Sequence, residues 1–242
     1  MVSVAQLAER RIVVPDVEGS NPSTHPTILP RSDEGRGQSA AIPSPAIIRI
    51  GHLCYRYRQY LSMALLVASI LLARPLTGDP SVNRVLDTAS FLLVLAGGAV
   101  RSWAMGFHVW RRVHGPGSQR SLVTAGPYAW VRNPLYFGTL LISAGVALMS
   151  GRPIIIATYL VVFWLGYYAI ILWEEQKLEK EFGATYRGYF DSVPRLVPGF
   201  RRWQRREGVF SFPTMMRCME PAKTAAFLLA LCLMAWLKTY RG

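Results

Sequence analysis

Two short stretches of this chain combine polar and aromatic side chains in a pattern that can do chemistry. In residues 120–136, RSLVTAGPYAWVRNPLY, Gly126-Pro127 predicts a turn and Asn133-Pro134 predicts a helix start with Asn133 as the cap. The second stretch is Glu174-Glu175, which follows an apolar run of about twenty residues, the length that spans a bilayer. Two carboxylates at a membrane–water boundary are suited to binding a cation.

The order of these residues resembles the signature of a family of membrane methyltransferases. Gly126-Pro127-Tyr128, then residues 132–136 (RNPLY), then Glu174-Glu175 look like the motif of isoprenylcysteine carboxyl methyltransferases and phospholipid N-methyltransferases. The continuation is similar to the family's tail, in Phe182-Gly183, Tyr186, Tyr189, Val193-Pro194 and Pro198. The likeness covers roughly residues 95–198.

The resemblance implies S-adenosylmethionine as the cofactor. Its sulfonium, ammonium, carboxylate and adenine require an acid, hydrogen-bond donors, and apolar or aromatic walls. By resemblance, Glu174 receives the ammonium, and the cofactor is lined by Leu122, Val123, Tyr128, Asn133, Pro134, Leu135 and Tyr136. On chemistry alone, we expect Arg132 to contact a carboxylate or the substrate.

Three positions depart from the family pattern. Asn133 and Arg120 stand where the family usually has histidine, and Ile170 stands where the prenylcysteine enzymes have an arginine for the substrate carboxylate. Asn133 can exchange hydrogen bonds but cannot titrate. We therefore expect the acceptor to be a lipid-like or other membrane-soluble molecule that enters sideways between helices, and not a free prenylcysteine carboxylate.

Composition predicts an all-α integral membrane protein with four to five transmembrane helices. Of the 242 residues 51% are apolar, and they are gathered into long blocks. The net charge of +13 comes from arginines that lie mostly beside those blocks, without a nucleic-acid-binding pattern, so we expect membrane lipids as partners and no nucleic acid. The three cysteines lack the spacing of a metal site or a disulfide framework.

Five apolar runs are candidates for the spans. They are residues 61–73, which need 53–60 to reach spanning length, then 85–110, 135–150, 153–173, and 222–237, which either spans or lies in the interface. The third and fourth form a hairpin, so the start of one and Glu174 at the end of the other should lie side by side in one pocket.

The second span carries two polar residues on one face, Arg101 and His108. Arg101 either pairs within the bundle or contacts an anionic substrate headgroup, and both readings remain open. For His108 an ordinary interfacial position is favoured over a functional one.

Charge bias predicts that the pocket faces the cytosol. Loop 111–132 and segment 174–220 are rich in arginine and lysine, whereas the short turns 74–84 and 151–153 are nearly neutral or carry one arginine. The positive-inside rule then puts both motif stretches and the amino terminus on the cytosolic side.

The chain divides into four predicted parts. Residues 1–45 are rich in proline, serine and charge and form either a disordered tail or a spurious translation upstream of the true start, because Gly19-Ser20-Asn21-Pro22 back-translates to the T-arm consensus of a transfer-RNA gene. Residues 46–110 hold the first membrane helices, 111–200 the methyltransferase core, and 201–242 a basic segment and the last apolar helix.

Two other classes of protein compete with a methyltransferase. A membrane reductase that uses NAD(P)H, as in the sterol reductases, shares a similar tail of tyrosine and Val-Pro elements, but Glu174-Glu175 after the fourth span favours the methyltransferase. A non-enzymatic helical membrane protein explains the apolar blocks but not the polar residues gathered on one side.

Overall fold

The computed structural model describes residues 45–108, 122–199 and 203–241, and within these ranges it contains helices and no strand. The helices are α1 (Pro45–Leu71), α2 (Pro80–His108), α3 (Pro134–Met149), α4 (Pro153–Val162), α5 (Tyr168–Phe182), α6 (Ala184–Ser192), α7 (Phe212–Arg217) and α8 (Glu220–Arg241). A short 3₁₀ helix covers Gly126–Ala129, and one π-helical turn, Phe163–Tyr167, joins α4 to α5. The amino-terminal tail lies outside the described residues, so its interpretation stays a prediction. Arg120 and the other residues of loop 111–132 up to residue 121 also lie outside them.

The prediction of an all-α integral membrane protein is confirmed. Among the described residues three helices are long and apolar enough to cross a membrane: Pro80–Phe107, Pro153–Phe182 and Glu220–Arg241. Helix α3 is apolar but has 16 residues, and α1 has 27 residues with Arg49, Arg56 and Arg58 in its first half. The last apolar run is thus long enough to span, whereas the first predicted span is not among these three.

Prolines start four of the eight α-helices in the described residues. The first helical positions are occupied by Pro45, Pro80, Pro134 and Pro153. Proline is tolerated there because the amide of a first-turn residue makes no hydrogen bond within the helix, and because the fixed φ of proline is close to the helical value. At the end of the molecule away from the motif residues, Arg74 N donates to Ser150 O at 3.1 Å, so the α1–α2 and α3–α4 turns lie together.

The core forms where α2, α3 and α8 meet. A Cβ at Gly97 of α2 would lie 2.6 Å from the carbonyl oxygen of Gly138, so the absence of side chains here lets α2 and α3 approach closely. Below this crossing Val94, Val146 and Met234 are buried in a single apolar cluster contributed by all three helices.

The hairpin of α3 with α4 and α5 is more open than its short turn predicts. Helix α3 packs chiefly against α2, and α5 packs chiefly against α1, while α3 and α4 contact each other less extensively. At the far ends of the two arms, the start of α3 and the Glu174 region of α5 converge through side chains. This separation of the helix backbones leaves room for a pocket between them.

Candidate functional site

The motif loop is fixed by residues 203–207 from the carboxy-terminal part of the chain. Thr124 N and Ala125 N donate to Glu207 O at 2.9 and 3.1 Å, and Thr124 Oγ1 donates to Arg205 O at 2.8 Å. Further along the loop, Trp203 N donates to Ala129 O at 2.9 Å. These bonds, three from backbone amides and one from the Thr124 hydroxyl, hold the loop in place without using its pocket-lining side chains.

One pocket collects the residues that the sequence predicted to line a cofactor. Its empty space, including the open mouth, is about 720 Å³. Its walls include Leu122, Val123, Tyr128, Arg132, Asn133, Pro134, Leu135, Tyr136 and Glu174. The structure thus brings residues about forty positions apart in sequence to one site at one end of the helices.

Four further wall residues were not predicted as site residues. Leu178 and Phe182 follow Glu174 at intervals of four, which puts all three on one face of α5, and Tyr186 and Tyr189 come from α6. The helical spacing after Glu174 was a usable sequence signal for the first two. The turn at Gly183, with φ of 51°, redirects the chain so that α6 closes the pocket.

The second carboxylate of the acidic pair has a different position from the first. Glu175 is 5% exposed, accepts from Asn133 Nδ2 at 3.2 Å and from Arg195 Nε at 2.9 Å, and lies 3.4 Å from Arg132 Nε. It is not among the pocket-lining residues. Glu175 therefore ties α5 to the motif loop and to the segment after α6, beneath the pocket wall.

Asn133 occupies the predicted cap position of α3, but its side chain does not cap the helix. Its side chain makes no hydrogen bond to the first turn and donates instead to Glu175 and, at 3.0 Å, to Arg195 O. The predicted helix start with Asn133 at the cap position is confirmed, but the capping bonds go to the backbone carbonyl of Asn133, which accepts from Tyr136 N and Phe137 N, while the side-chain amide is held by Glu175 and Arg195.

Arg132 is built into the pocket wall. Its Nη1 donates to Phe190 O at 2.8 Å, and its guanidinium carbon lies 3.7 Å from the centroid of the Phe190 ring. Burial lowers the pKa of Arg132 from its ordinary value, and the Glu175 carboxylate opposes that shift. The carboxylate that Arg132 contacts here is thus that of Glu175, and its predicted contact to a bound carboxylate or substrate stays a prediction.

Two tyrosines of α6 face the pocket with different hydrogen-bonding states. Tyr189 Oη donates to Tyr128 O at 2.7 Å, which fixes the loop tyrosine against α6. The Tyr186 hydroxyl is buried and has no hydrogen-bond partner within the described part of the chain. Burial raises the pKa of Tyr186, so this hydroxyl keeps its proton and is available as a donor.

Glu174 lines the pocket beside Tyr136, to whose hydroxyl it is hydrogen bonded. Tyr136 in turn packs edge to face on Tyr167, with the ring centroids 6.0 Å apart. This ring pair puts aromatic surface beside the pocket wall at Tyr136. The acid at the site therefore has a polar neighbour on one side and apolar surface on the other.

The structure does not bring Arg101 into the pocket. Its Nε lies 2.9 Å from Glu220 Oε2, and its Nη1 donates to Thr139 Oγ1 at 2.7 Å, so pairing within the bundle is what the described residues show. The side chain of His108 lies outside the described residues. Ile170 is 1% exposed and faces the core instead of the pocket.

Comparisons with known proteins agree with the resemblance. The family profile of phospholipid methyltransferases matches residues 87–185, a segment that contains both motif stretches. An Arabidopsis thaliana protein-S-isoprenylcysteine O-methyltransferase B is 39% identical over 77 residues, 32% of this chain and 39% of that protein. The Rattus norvegicus protein-S-isoprenylcysteine O-methyltransferase is 33% identical over 117 residues, 47% of this chain and 41% of that protein.

The resemblance to membrane methyltransferases is thereby confirmed for the middle of the chain. The chain spans about two fifths of the length of these curated relatives. No solved structure matches it.

Proposed function

We propose that this protein transfers a methyl group from S-adenosylmethionine to a membrane-soluble acceptor. The observation that supports this most is the convergence on one pocket of the residues that the methyltransferase resemblance assigns to the cofactor, with Glu174 among them. The matched segment, residues 87–185, and the similarity to isoprenylcysteine O-methyltransferases support the same reaction class over a reductase.

The side chains of the pocket fit the chemistry of this cofactor. Glu174 offers a carboxylate for an ammonium, and Leu178 and Phe182 offer apolar wall one and two turns further along α5. The buried Tyr186 hydroxyl, which has no partner within the described residues, is suited to donate to the cofactor's carboxylate.

Positioning and exclusion of water would supply most of the catalysis. When bound, S-adenosylmethionine supplies an electrophilic methyl group on a positively charged sulfur, which leaves as a neutral thioether. Glu174 would orient the donor, and Tyr136 with Tyr167 would keep water from the membrane side. Among the described pocket residues we identify no general base, which favours an acceptor atom that needs no deprotonation by the protein.

The acceptor would reach the pocket from the membrane. One cation that could neutralise a free carboxylate, Arg101, is already paired with Glu220. Ile170 carries no charge that could neutralise the carboxylate. Burying a carboxylate without a partner costs several kcal/mol. A free prenylcysteine carboxylate is therefore not the acceptor we propose.

We place the pocket on the cytosolic side, where S-adenosylmethionine is available. The support is the basic character of segment 174–220 beside the pocket, which includes Lys177, Arg187 and Arg195, set against the nearly neutral turns at the other end.

The proposed function is tested by supplying S-adenosylmethionine labelled in its methyl group to membranes that contain the protein. In parallel the purified protein receives a farnesylated cysteine analogue. We expect label in an extractable apolar or lipid product and little methyl ester on the analogue. Efficient esterification of the analogue without labelled membrane products would contradict the proposed acceptor, and no transfer in either arm would contradict the activity.

A further inference from the structure

We propose that Glu220, at the start of α8, is a positioning residue for the cofactor pocket. It lies outside the segment matched by the methyltransferase family, residues 87–185, and it does not line the pocket. Its action would pass through Arg101 to the first turn of α3. The inference rests on the proposed function, because it assigns this turn to the cofactor wall.

The first link is a buried ion pair between α2 and α8. Glu220 is 1% exposed, and Arg101 binds it through two nitrogens, with Nε to Oε2 at 2.9 Å and Nη2 to Oε1 at 3.2 Å. Lys223 Nζ also donates to Oε1, at 2.8 Å. This geometry fixes the plane of the Arg101 guanidinium in a region where an unpaired charge is costly.

The second link joins that guanidinium to α3. The remaining nitrogen, Nη1, donates to Thr139 Oγ1 at 2.7 Å and to Leu135 O at 3.3 Å, and Thr139 Oγ1 itself donates to Leu135 O at 2.9 Å. Leu135 is the second residue of α3 and stands between Pro134 and Tyr136 in the pocket wall. The carboxylate of Glu220 thus orients Arg101, which in turn is hydrogen bonded to the backbone of this wall at Leu135.

Loss of the Glu220 charge should release the wall. Without a carboxylate partner, Arg101 retains its charge inside the helix bundle, and a long cationic side chain in that position reorients toward water. Its bonds to Thr139 and Leu135 would then be lost together. Ligand affinity is sensitive to small displacements of the pocket wall. The cofactor affinity should therefore fall even though no pocket side chain has changed.

The chain contains a matched control at the other end of the same two helices. Lys238 of α8, which is buried, forms an ion pair with Asp87 of α2, so this pair also joins α2 to α8 but lies far from the pocket. A merely structural role for Glu220 predicts that breaking either pair has similar consequences. A positioning role predicts that only the break at Glu220 changes the pocket.

The experiment compares Glu220→Gln with Asp87→Asn in the full chain, purified in detergent. We expect Glu220→Gln to weaken S-adenosylmethionine binding by about ten-fold or more, and Asp87→Asn by less than about three-fold, at comparable losses of thermal stability. Hydrogen exchange of residues 135–139 supplies a readout that needs no ligand, and it should rise in Glu220→Gln alone.

A double variant, Arg101→Met with Glu220→Met, separates positioning from stability. Removing both buried charges should return the unfolding temperature toward that of the wild type, while cofactor affinity stays low and exchange at residues 135–139 stays fast. Equal affinity losses in Glu220→Gln and Asp87→Asn, or recovery of affinity in the double variant, would overturn the inference. If the wild type binds no S-adenosylmethionine, the proposed function fails, and the exchange contrast alone then decides whether Glu220 positions α3.

Discussion

Glu174 and Glu175 are neighbours in sequence, but the structure predicts that loss of the first mainly lowers cofactor affinity and loss of the second mainly lowers stability. Glu174→Gln removes a pocket carboxylate without touching the buried ion-pair network. A charge-assisted hydrogen bond in a partly dry pocket contributes about 1.5 to 3 kcal/mol, so S-adenosylmethionine affinity should fall roughly ten- to a hundred-fold. The unfolding temperature should change little.

Glu175→Gln should act mainly on stability. The carboxylate is buried and faces Arg132 and Arg195, and the neutral amide leaves these two cations without their acid. Breaking such a pair costs about 3 kcal/mol or more, although the partial exposure of Arg195 reduces that figure. Affinity should fall less than in Glu174→Gln, since no pocket contact is removed directly.

Isothermal titration calorimetry in detergent and thermal unfolding together separate the two effects. The wild type and both variants are measured in the same micelles, at temperatures where each remains folded. Small and equal affinity losses in both variants would refute the assignment of Glu174 to the cofactor. A larger stability loss in Glu174→Gln than in Glu175→Gln would refute the described network.

Three further predictions follow from single positions. Gly126→Ala should destabilise the protein by about 2 kcal/mol in thermal unfolding, because φ is +61° and the new Cβ would meet an aromatic ring at 2.3 Å, whereas Gly188→Ala meets nothing and should not destabilise. Tyr186→Phe should leave stability unchanged but weaken S-adenosylmethionine binding about five-fold, since the lost hydroxyl has no partner within the described chain. In a cysteine-free background, a cysteine at Gly78 should react with an impermeant maleimide on intact cells while one at Lys177 stays protected, and the reverse pattern would contradict a cytosolic pocket.

The turn and the helix start of the motif loop were predictable from neighbouring residues, whereas the pocket-lining residues were assigned by resemblance to the methyltransferase family. Asn133-Pro134 and Gly126-Pro127 specify a helix start and a turn from neighbouring residues alone, and the structure has both. The length of the apolar runs likewise predicted where most of the helices lie. Such features depend on few residues and on bond geometry that does not change with context.

The supports of the pocket were not predictable, because they join residues that are distant in sequence. Arg101 and Glu220 are 119 positions apart, and a single sequence offers no signal that pairs them. The Asn133 side chain binds the buried carboxylate of Glu175 instead of capping α3. Predicting this contact requires knowledge of how α5 packs. The loop's bonds to Arg205 and Glu207 all end on the backbone atoms of those two residues, and backbone atoms leave no trace in side-chain type.

Binding of S-adenosylmethionine and of NADPH to the purified protein, measured side by side by calorimetry, tests the central claim most directly. We predict saturable binding of S-adenosylmethionine that Glu174→Gln weakens by at least about ten-fold, and no measurable binding of NADPH. Saturable binding of NADPH without binding of S-adenosylmethionine would contradict a methyltransferase and favour a membrane reductase.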